Sequence, residues 1–118
     1  MQMQTPSREM QHCIRECAEC ASMCTQTAHH CLHMGGDHAS PEHQALLQGC
    51  AQMCSVAAGF LARMSDRAAD LCLLCADICT ECADACVRLS EGDSLMTQCA
   101  DVCRRCSKSC ERMAGAPV

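Results

Sequence analysis

The chain has almost no aromatic side chains: it contains no Trp and no Tyr, and Phe60 is its one phenylalanine. Leu, Ile, Val and Phe together number only 16 of the 118 residues. This is too few to fill a conventional hydrophobic core. The lack of aromatic groups also argues against a broad aromatic ligand pocket and against a surface on which bases stack. Taken alone, these deficits would indicate disorder or a disulfide scaffold.

Basic residues are also scarce, with 9 Lys and Arg against 14 Asp and Glu and a net charge of −5. They are scattered rather than clustered, so no nucleic-acid partner is expected. No stretch approaches the roughly 18 apolar residues of a membrane span, and no secretory signal is visible at the N-terminus. We therefore expect a soluble cytoplasmic protein with no membrane partner. In that reducing compartment, dense cysteine indicates metal binding more often than disulfides.

Cysteine is what the chain has in abundance, with 16 residues. The cysteines follow one another mostly at steps of three and four residues, which places their side chains along one face of an α-helix. A buried thiol behaves as a small apolar group and can replace part of the missing hydrocarbon. The groups are Cys13, Cys17, Cys20, Cys24 and Cys31; Cys50 and Cys54; Cys72, Cys75, Cys79, Cys82 and Cys86; and Cys99, Cys103, Cys106 and Cys110.

Capping residues and helix breakers divide the chain into four helices. Ser40 followed by Pro41 is a typical helix start, and Ser65 or Asp66 is the expected cap of the third helix. The predicted limits are about 7–34, 41–64, 66–91 and 94–114. Because the connections are short, we predict an all-α fold, an antiparallel up-down-up-down four-helix bundle with a cysteine-lined core, as a single domain over residues 1–118.

The cysteine spacing favours a metal over disulfides. Residues three or four apart on a helix have Cβ atoms about 5 to 6 Å apart, beyond the roughly 3.5 to 4.5 Å of a disulfide. Thiolates select Cu(I), zinc or iron–sulfur clusters, but the turn-borne zinc and iron–sulfur motifs are absent. Sixteen thiolates with about sixteen Cu(I) ions would be neutral, whereas four Zn²⁺ ions would leave about eight buried negative charges. The prediction is bulk storage of Cu(I), at about one ion per cysteine.

Methionine and histidine continue the cysteine register at both ends of the bundle. The antiparallel arrangement brings Met34, His43 and Met96 to one end, with His30, His33 and His38 nearby. Thioether and imidazole groups are acceptable Cu(I) ligands. We therefore predict that this end admits the metal and that Met34, His43 and Met96 are ligands in addition to all sixteen cysteines. The other end, with Met10, Met64 and Met113, is predicted to be an apolar plug.

No catalytic constellation is apparent, so we expect that the protein is not an enzyme. Thiol oxidoreductases need a reactive cysteine at a helix N-terminus, whereas these rows lie in mid-helix and face inward. A zinc or cadmium sink in the manner of metallothionein stays open as an alternative, as does, less favoured, an iron–sulfur electron-transfer protein. The apolar residues beside the rows, namely Leu71, Leu73, Leu74, Ile78 and Val87, could pack inside the bundle or form a subunit interface.

Three segments resemble a known family. They are the runs 71–86 and 12–20 and the pattern Cys99-x-x-x-Cys103-x-x-Cys106-x-x-x-Cys110. Together they are similar to the bacterial copper storage proteins, in particular to their cytosolic branch. The resemblance implies a four-helix bundle that holds Cu(I) on all sixteen cysteines, a histidine-bearing open end and assembly into tetramers. Separately from this resemblance, a copper chaperone or chelator is expected as a partner of a protein that stores copper.

Overall fold

Four α-helices account for most of the computed structural model, which describes residues 4–115. The helices are α1 (Arg8–Met34), α2 (Pro41–Ala62), α3 (Ala68–Leu89) and α4 (Ser94–Ala114), and a short 3-10 turn (Gly36–Ala39) joins α1 to α2. Both α1 and α3 pack against α2 and α4. The predicted four-helix bundle is confirmed, and no strand occurs within residues 4–115. The bundle is elongated, measuring 56 × 23 × 21 Å.

Side-chain caps begin three of the helices. The hydroxyls of Ser7 and Ser40 each accept a hydrogen bond at 3.2 Å from the backbone N–H three residues later, and the Asp93 carboxylate accepts one at 3.0 Å. Each cap satisfies one of the N–H groups that a helix start leaves unpaired. Gly35, at φ 74°, follows α1 and turns the chain towards α2. Three of the four helices therefore begin at a residue whose side chain caps the helix N-terminus.

Three helix limits differ by two residues from those predicted, namely the end of α2 and both ends of α3. The hydroxyl of Ser65 accepts a hydrogen bond from the Arg67 backbone N–H at 3.1 Å, so it stabilises the turn before α3, which starts at Ala68. No side-chain hydrogen bond caps this helix. At the end of α2, Met64 has a φ of 52°, a left-handed conformation that ends a right-handed helix. The connection between α2 and α3 is consequently longer than the expected cap at Ser65 or Asp66 indicated.

The cysteines form the core of the bundle. All sixteen are free and buried, and none is more than 1 % exposed. On the outer face of α3, Asp70, Asp77 and Asp84 are exposed, as their seven-residue spacing predicts. Small residues such as Ala57 and Ala83 fill the space between the rows. The thiol rows therefore take the place that leucine and isoleucine occupy in most bundles.

The α2 helix corrects one expectation from the sequence. It holds an 18-residue window that is long and apolar enough to cross a membrane by length and composition. Its cysteines contribute to this apolar character, as do outward residues such as Val56 and the partly buried Met53 and Phe60. About a third of the window, 33 %, is buried in the bundle. A core helix of a soluble protein can have the same length and composition, so these properties alone do not place α2 in a membrane.

Candidate metal centre

The sulfur atoms of the four helices meet along the bundle axis. Thirteen of them are linked into one network by Sγ–Sγ distances of 3.5 to 4.0 Å. The shortest joins Cys24 to Cys103 at 3.5 Å. The network consists of Cys13, Cys17, Cys20, Cys24, Cys50, Cys54, Cys75, Cys79, Cys82, Cys99, Cys103, Cys106 and Cys110. The predicted convergence of thiols from different helices is therefore present along most of the bundle.

Several groups of sulfurs are close enough to share a metal ion. Within each group, all Sγ atoms lie within 4.8 Å of one another. A metal–thiolate bond of about 2.3 Å places two sulfurs about 3.8 Å apart in a tetrahedral site and about 4.6 Å apart in a linear one. A disulfide needs about 2.05 Å. The groups are Cys17, Cys75, Cys106 and Cys110; Cys20, Cys50, Cys54 and Cys79; Cys20, Cys24, Cys50 and Cys103; Cys54, Cys75, Cys79 and Cys106; and Cys13, Cys72 and Cys110.

The core carries no positive side chain that could neutralise thiolates. Among residues 4–115, the buried polar or charged residues are Thr27, His43, Gln44, Ser107 and Ser109, with no Lys or Arg. Isolated buried charges are strongly unfavourable. The sulfurs must therefore either carry protons or bind cations. A monovalent cation balances one thiolate at a time, whereas a divalent ion held by four thiolates leaves two negative charges in the core.

The acidity of the thiols follows from this environment. Burial raises the pKa of Cys31 to about 11. The neighbouring thiols of Cys82 and Cys99, together with burial, raise the pKa of Cys86 well above its ordinary value. These two thiols are therefore protonated at neutral pH in the metal-free protein. A soft monovalent ion that binds one of them must displace a proton, so the core stays neutral during the exchange.

One end of the thiol column finishes in a cysteine–histidine pair. The Nε2 atom of His43 lies 3.6 Å from the Sγ atom of Cys31. His43 is only 2 % exposed, and its Nδ1 atom has no hydrogen-bond partner among the described residues. Burial lowers the pKa of His43 below 6.5, so the imidazole is neutral at neutral pH. A neutral imidazole and a thiol side by side can supply nitrogen and sulfur ligands to one soft ion.

The predicted methionine ligands occupy different environments. Met96 is fully buried in the core at the cysteine–histidine end, whereas Met34 is 47 % exposed. Met34 is the last residue of α1 and therefore lies where the helix leaves the bundle. At the opposite end Met113 belongs to the buried core and Met10 packs against it. Met64 is not among the residues packed on that core, because its left-handed backbone takes it off the helical stripe.

The remaining histidines near this end have other contacts. His30 Nε2 lies 2.8 Å from an Asp93 carboxylate oxygen and so ties α1 to the cap of α4. His33 donates through Nδ1 to the carbonyl of His29 at 3.0 Å. The Nε2 atom of His38, in the 3-10 turn, is buried without a partner among the described residues. The structure thus places His43, rather than these residues, against a cysteine.

Thr27 was missed as a site residue in the sequence. It is 0 % exposed, and its hydroxyl has no hydrogen-bond partner within residues 4–115. The signal was present in the spacing, because a step of three from Cys24 and a step of four to Cys31 place residue 27 on the cysteine stripe. The α1 row is therefore interrupted by one oxygen-bearing side chain.

Comparisons with known proteins agree with this arrangement. The family model described as copper storage protein matches residues 6–115. No curated protein matches the chain. The chain is similar to the solved structure of a Nitrosospira multiformis protein, at 35 % identity and a TM-score of 0.85, covering 91 % of this chain and 95 % of that one.

Two further solved structures are described as copper storage proteins. The Cu(I)-bound copper storage protein Csp3 of Bacillus subtilis is 28 % identical, with a TM-score of 0.84, covering 92 % of this chain and 100 % of that one. A cytosolic copper storage protein of Streptomyces lividans, described with five coppers, is 27 % identical, with a TM-score of 0.83, covering 93 % of this chain and 95 % of that one.

Proposed function

The chain belongs to the copper storage protein family, and from this premise we propose that it holds multiple Cu(I) ions as thiolates inside its four-helix bundle. The observation that carries the proposal is the network of thirteen buried sulfurs at 3.5 to 4.0 Å, drawn from all four helices. A protein that handed over single ions would need only one or two such pairs. A continuous column supplies storage capacity instead.

Charge balance supports Cu(I) as the stored ion. Each ion taken up by a thiol forms a copper–sulfur bond and releases one proton, so the dry core remains neutral at every stage of loading. With each sulfur bridging two copper ions, two-coordinate Cu(I) gives about one ion per cysteine. A zinc or cadmium sink would have to keep a negative charge of about two for each four-thiol site, with no buried Lys or Arg nearby.

The proposed ligands are the sixteen cysteines together with His43 and Met96. His43 contributes an imidazole nitrogen beside Cys31, and Met96 contributes a thioether at the same end of the core. Met34 is retained as a proposed ligand for passing ions, since its exposed position suits capture rather than storage. Thioethers bind Cu(I) without having to lose a proton.

The end that carries His43 is the proposed entrance for copper. A surface pocket reaches His43 between the 3-10 turn and the end of α3, and Asp37, Glu42 and Arg88 line it. At the opposite end Met113 lies in the buried core and Met10 packs against that core. A pocket therefore leads to a buried imidazole at one end of the column, whereas the core at the other end finishes in methionine side chains.

We also propose that the protein is not an enzyme, that it is cytoplasmic and that it forms a homo-oligomer. A role in storage without catalysis is supported by the family and by a column in which every thiol is buried. Cytoplasmic location is supported by the description of the Streptomyces lividans relative as cytosolic. Assembly into a homo-oligomer, a tetramer in the family resemblance, is supported by Leu73, Leu74 and Val87, which are 58 %, 49 % and 48 % exposed. A copper chaperone or a small chelator is the proposed donor or acceptor of the ions.

An anaerobic titration tests the storage function. The fully reduced protein is titrated with Cu(I) in competition with a chromogenic Cu(I) chelator, and its thiols are counted beforehand. We expect retention of about one Cu(I) per thiol, near sixteen per chain. Saturation at about four divalent ions with weak retention of Cu(I) would instead indicate a zinc or cadmium sink. Iron–sulfur absorption after reconstitution would equally contradict storage.

A further inference from the structure

Thr27 occupies a ligand position in the α1 row without supplying a sulfur. Residues 20, 24, 27 and 31 follow the same alternation of four and three, so the side chain at 27 faces the column as the cysteines do. It is 0 % exposed. Cys24 and Cys31, the cysteines on either side of it, are seven residues apart, which is about 10.5 Å along the helix axis. A linear Cu(I) ion joins sulfurs only about 4.6 Å apart.

The hydroxyl of Thr27 is unlike those of the other helical threonines. Thr25, Thr80 and Thr97 each donate to the carbonyl four residues earlier, at 2.8, 3.0 and 3.0 Å. The Thr27 hydroxyl makes no such bond and has no other partner within residues 4–115. A buried hydroxyl without a partner carries a desolvation cost.

The sulfur network changes at the same level of the bundle. Cys24 lies within 4.0 Å of Cys82, Cys99 and Cys103, whereas the polar contact of Cys31 is with His43. On α2, the fully buried Leu47 stands between Cys50 and His43 in the register.

The other two helices carry sulfur at this level. On α4, the fully buried Met96 precedes Cys99. On α3 the thiols continue, with the fully buried Cys86 four residues after Cys82. At this level, therefore, α3 supplies a thiol and α4 supplies the thioether of Met96, whereas α1 and α2 supply no sulfur.

We propose that Thr27 is the residue that separates the entrance pair, Cys31 and His43, from the interior thiol store and thereby slows the exchange of Cu(I) between them. The inference rests on the proposed function. Copper moves between thiols when its bond to one sulfur breaks as a bond to the next forms, and the proton of the accepting thiol goes to the sulfur that is released. A hydroxyl oxygen is a poor ligand for soft Cu(I), so this exchange cannot pass through residue 27. The interruption retains stored copper.

The test uses two matched threonine-to-cysteine variants of α1. Thr27→Cys restores the missing sulfur on the stripe, whereas Thr25→Cys adds a sulfur two residues away on the exposed face. Both are loaded anaerobically with Cu(I), and the release of copper to excess chromogenic chelator is followed with time. Thr27→Cys is expected to hold about one Cu(I) more than the parent and to release its interior copper several-fold faster. Thr25→Cys is expected to match the parent in retained copper and in release rate.

A third variant distinguishes the effect of the missing sulfur at residue 27 from the effect of the Thr27 hydroxyl. Thr27→Val keeps the shape of the side chain, supplies no ligand and removes the unpartnered hydroxyl. It is expected to release copper at the parent rate. Faster release from Thr27→Val, or identical retention and release for Thr27→Cys and Thr25→Cys, would overturn the proposal. Both results are distinct from failure of storage, since in that case the parent itself would not retain copper near one ion per thiol.

Discussion

The Nε2 atom of His43 lies 3.6 Å from the Sγ atom of Cys31, and this is where the imidazole of α2 meets the thiol column. No other histidine in the described part of the chain has a hydrogen-bond contact with a cysteine. The pair therefore joins a polar pocket at the surface to the buried sulfurs. Its geometry leads to the first prediction.

Removal of this imidazole should slow copper uptake more than it reduces capacity. For His43→Ala we expect several-fold slower loading from a Cu(I)–chelator complex, with the final content lower by about one ion at most. The measurement is stopped-flow absorbance of the chelator complex under anaerobic conditions. His33→Ala is the control, because His33 bonds to the carbonyl of His29 and not to a thiol. Equal loading rates for the two variants would place the entrance elsewhere.

Asp93 should stabilise the bundle through its cap and its bond to His30. For Asp93→Ala we expect the free energy of unfolding of the metal-free protein to fall by about 1 to 2 kcal/mol, because the variant loses the α4 cap and the contact with α1. Chemical denaturation followed by circular dichroism measures this change. Asp93→Asn is the matched control, since its amide oxygen can still cap the helix.

The contribution of Asp93 should depend on pH in a defined direction. The hydrogen bond with His30, followed by that from the Met96 backbone N–H, lowers the pKa of Asp93 below 3.8. A lowered carboxyl pKa gives stabilisation that is present above pH 3.8 and is lost as the pH falls through the folded-state value. The difference in stability between the parent and Asp93→Asn should therefore shrink below pH 3.8. A difference that grows on acidification would contradict the assignment.

Two α2 variants should show that copper content depends on the cysteines, whereas the stability of the metal-free protein depends on the packed leucine. Cys54 lies 3.6 to 3.8 Å from the sulfurs of Cys75, Cys79 and Cys106, so Cys54→Ala should lower copper content by about one to two ions. Leu61 is 2 % exposed and bears no ligand. Leu61→Ala should cost about 2 to 5 kcal/mol of apo-protein stability and leave copper content unchanged. Metal analysis of gel-filtered protein and thermal unfolding provide the two readouts.

Copper removal should lower the stability of the bundle markedly. Among residues 4–115, only Leu47, Leu61 and Met96 supply large aliphatic side chains that are at most 2 % exposed, so the metal-free core gains little from hydrocarbon burial. Any ligand that binds only the folded state stabilises it. We therefore expect the melting temperature to rise steadily with the number of Cu(I) ions bound, as measured by differential scanning fluorimetry. A melting temperature independent of copper content would mean that the thiols do not bind it in the folded core.

A charge on the exposed face of α3 should disrupt the proposed oligomer. Leu73→Glu would place a carboxylate in an apolar interface, where burial of its charge is costly. Size-exclusion chromatography with light scattering should then show dissociation to smaller species. Leu32→Glu is the control, because Leu32 is 54 % exposed and lies on α1, away from the exposed apolar residues of α3. A monomeric parent, or equal effects of the two substitutions, would exclude this interface.

Local features of the sequence were sufficient to predict the four helices and the face of each helix that is buried. The steps of three and four between cysteines follow the helical repeat, and Ser7, Ser40 and Asp93 cap helices where their types indicate. The start of α3 was less predictable, because Ser65 can stabilise either a turn or a helix end with the same hydroxyl. Met64 does not continue the inward row of side chains, because its backbone is left-handed, and no side-chain pattern indicates this conformation.

By itself, the sequence determined that four helices would present rows of thiols to a common core, since helical periodicity depends only on spacing along the chain. The tertiary structure alone decided which sulfurs approach one another, for example Cys24 and Cys103, whose distance depends on how α1 and α4 pack. It also decided that His43 faces Cys31, that Met34 lies at the surface and that Thr27 is buried with an unpartnered hydroxyl. Such relationships arise between helices, where relative rotation and height are set by the packing of all four together.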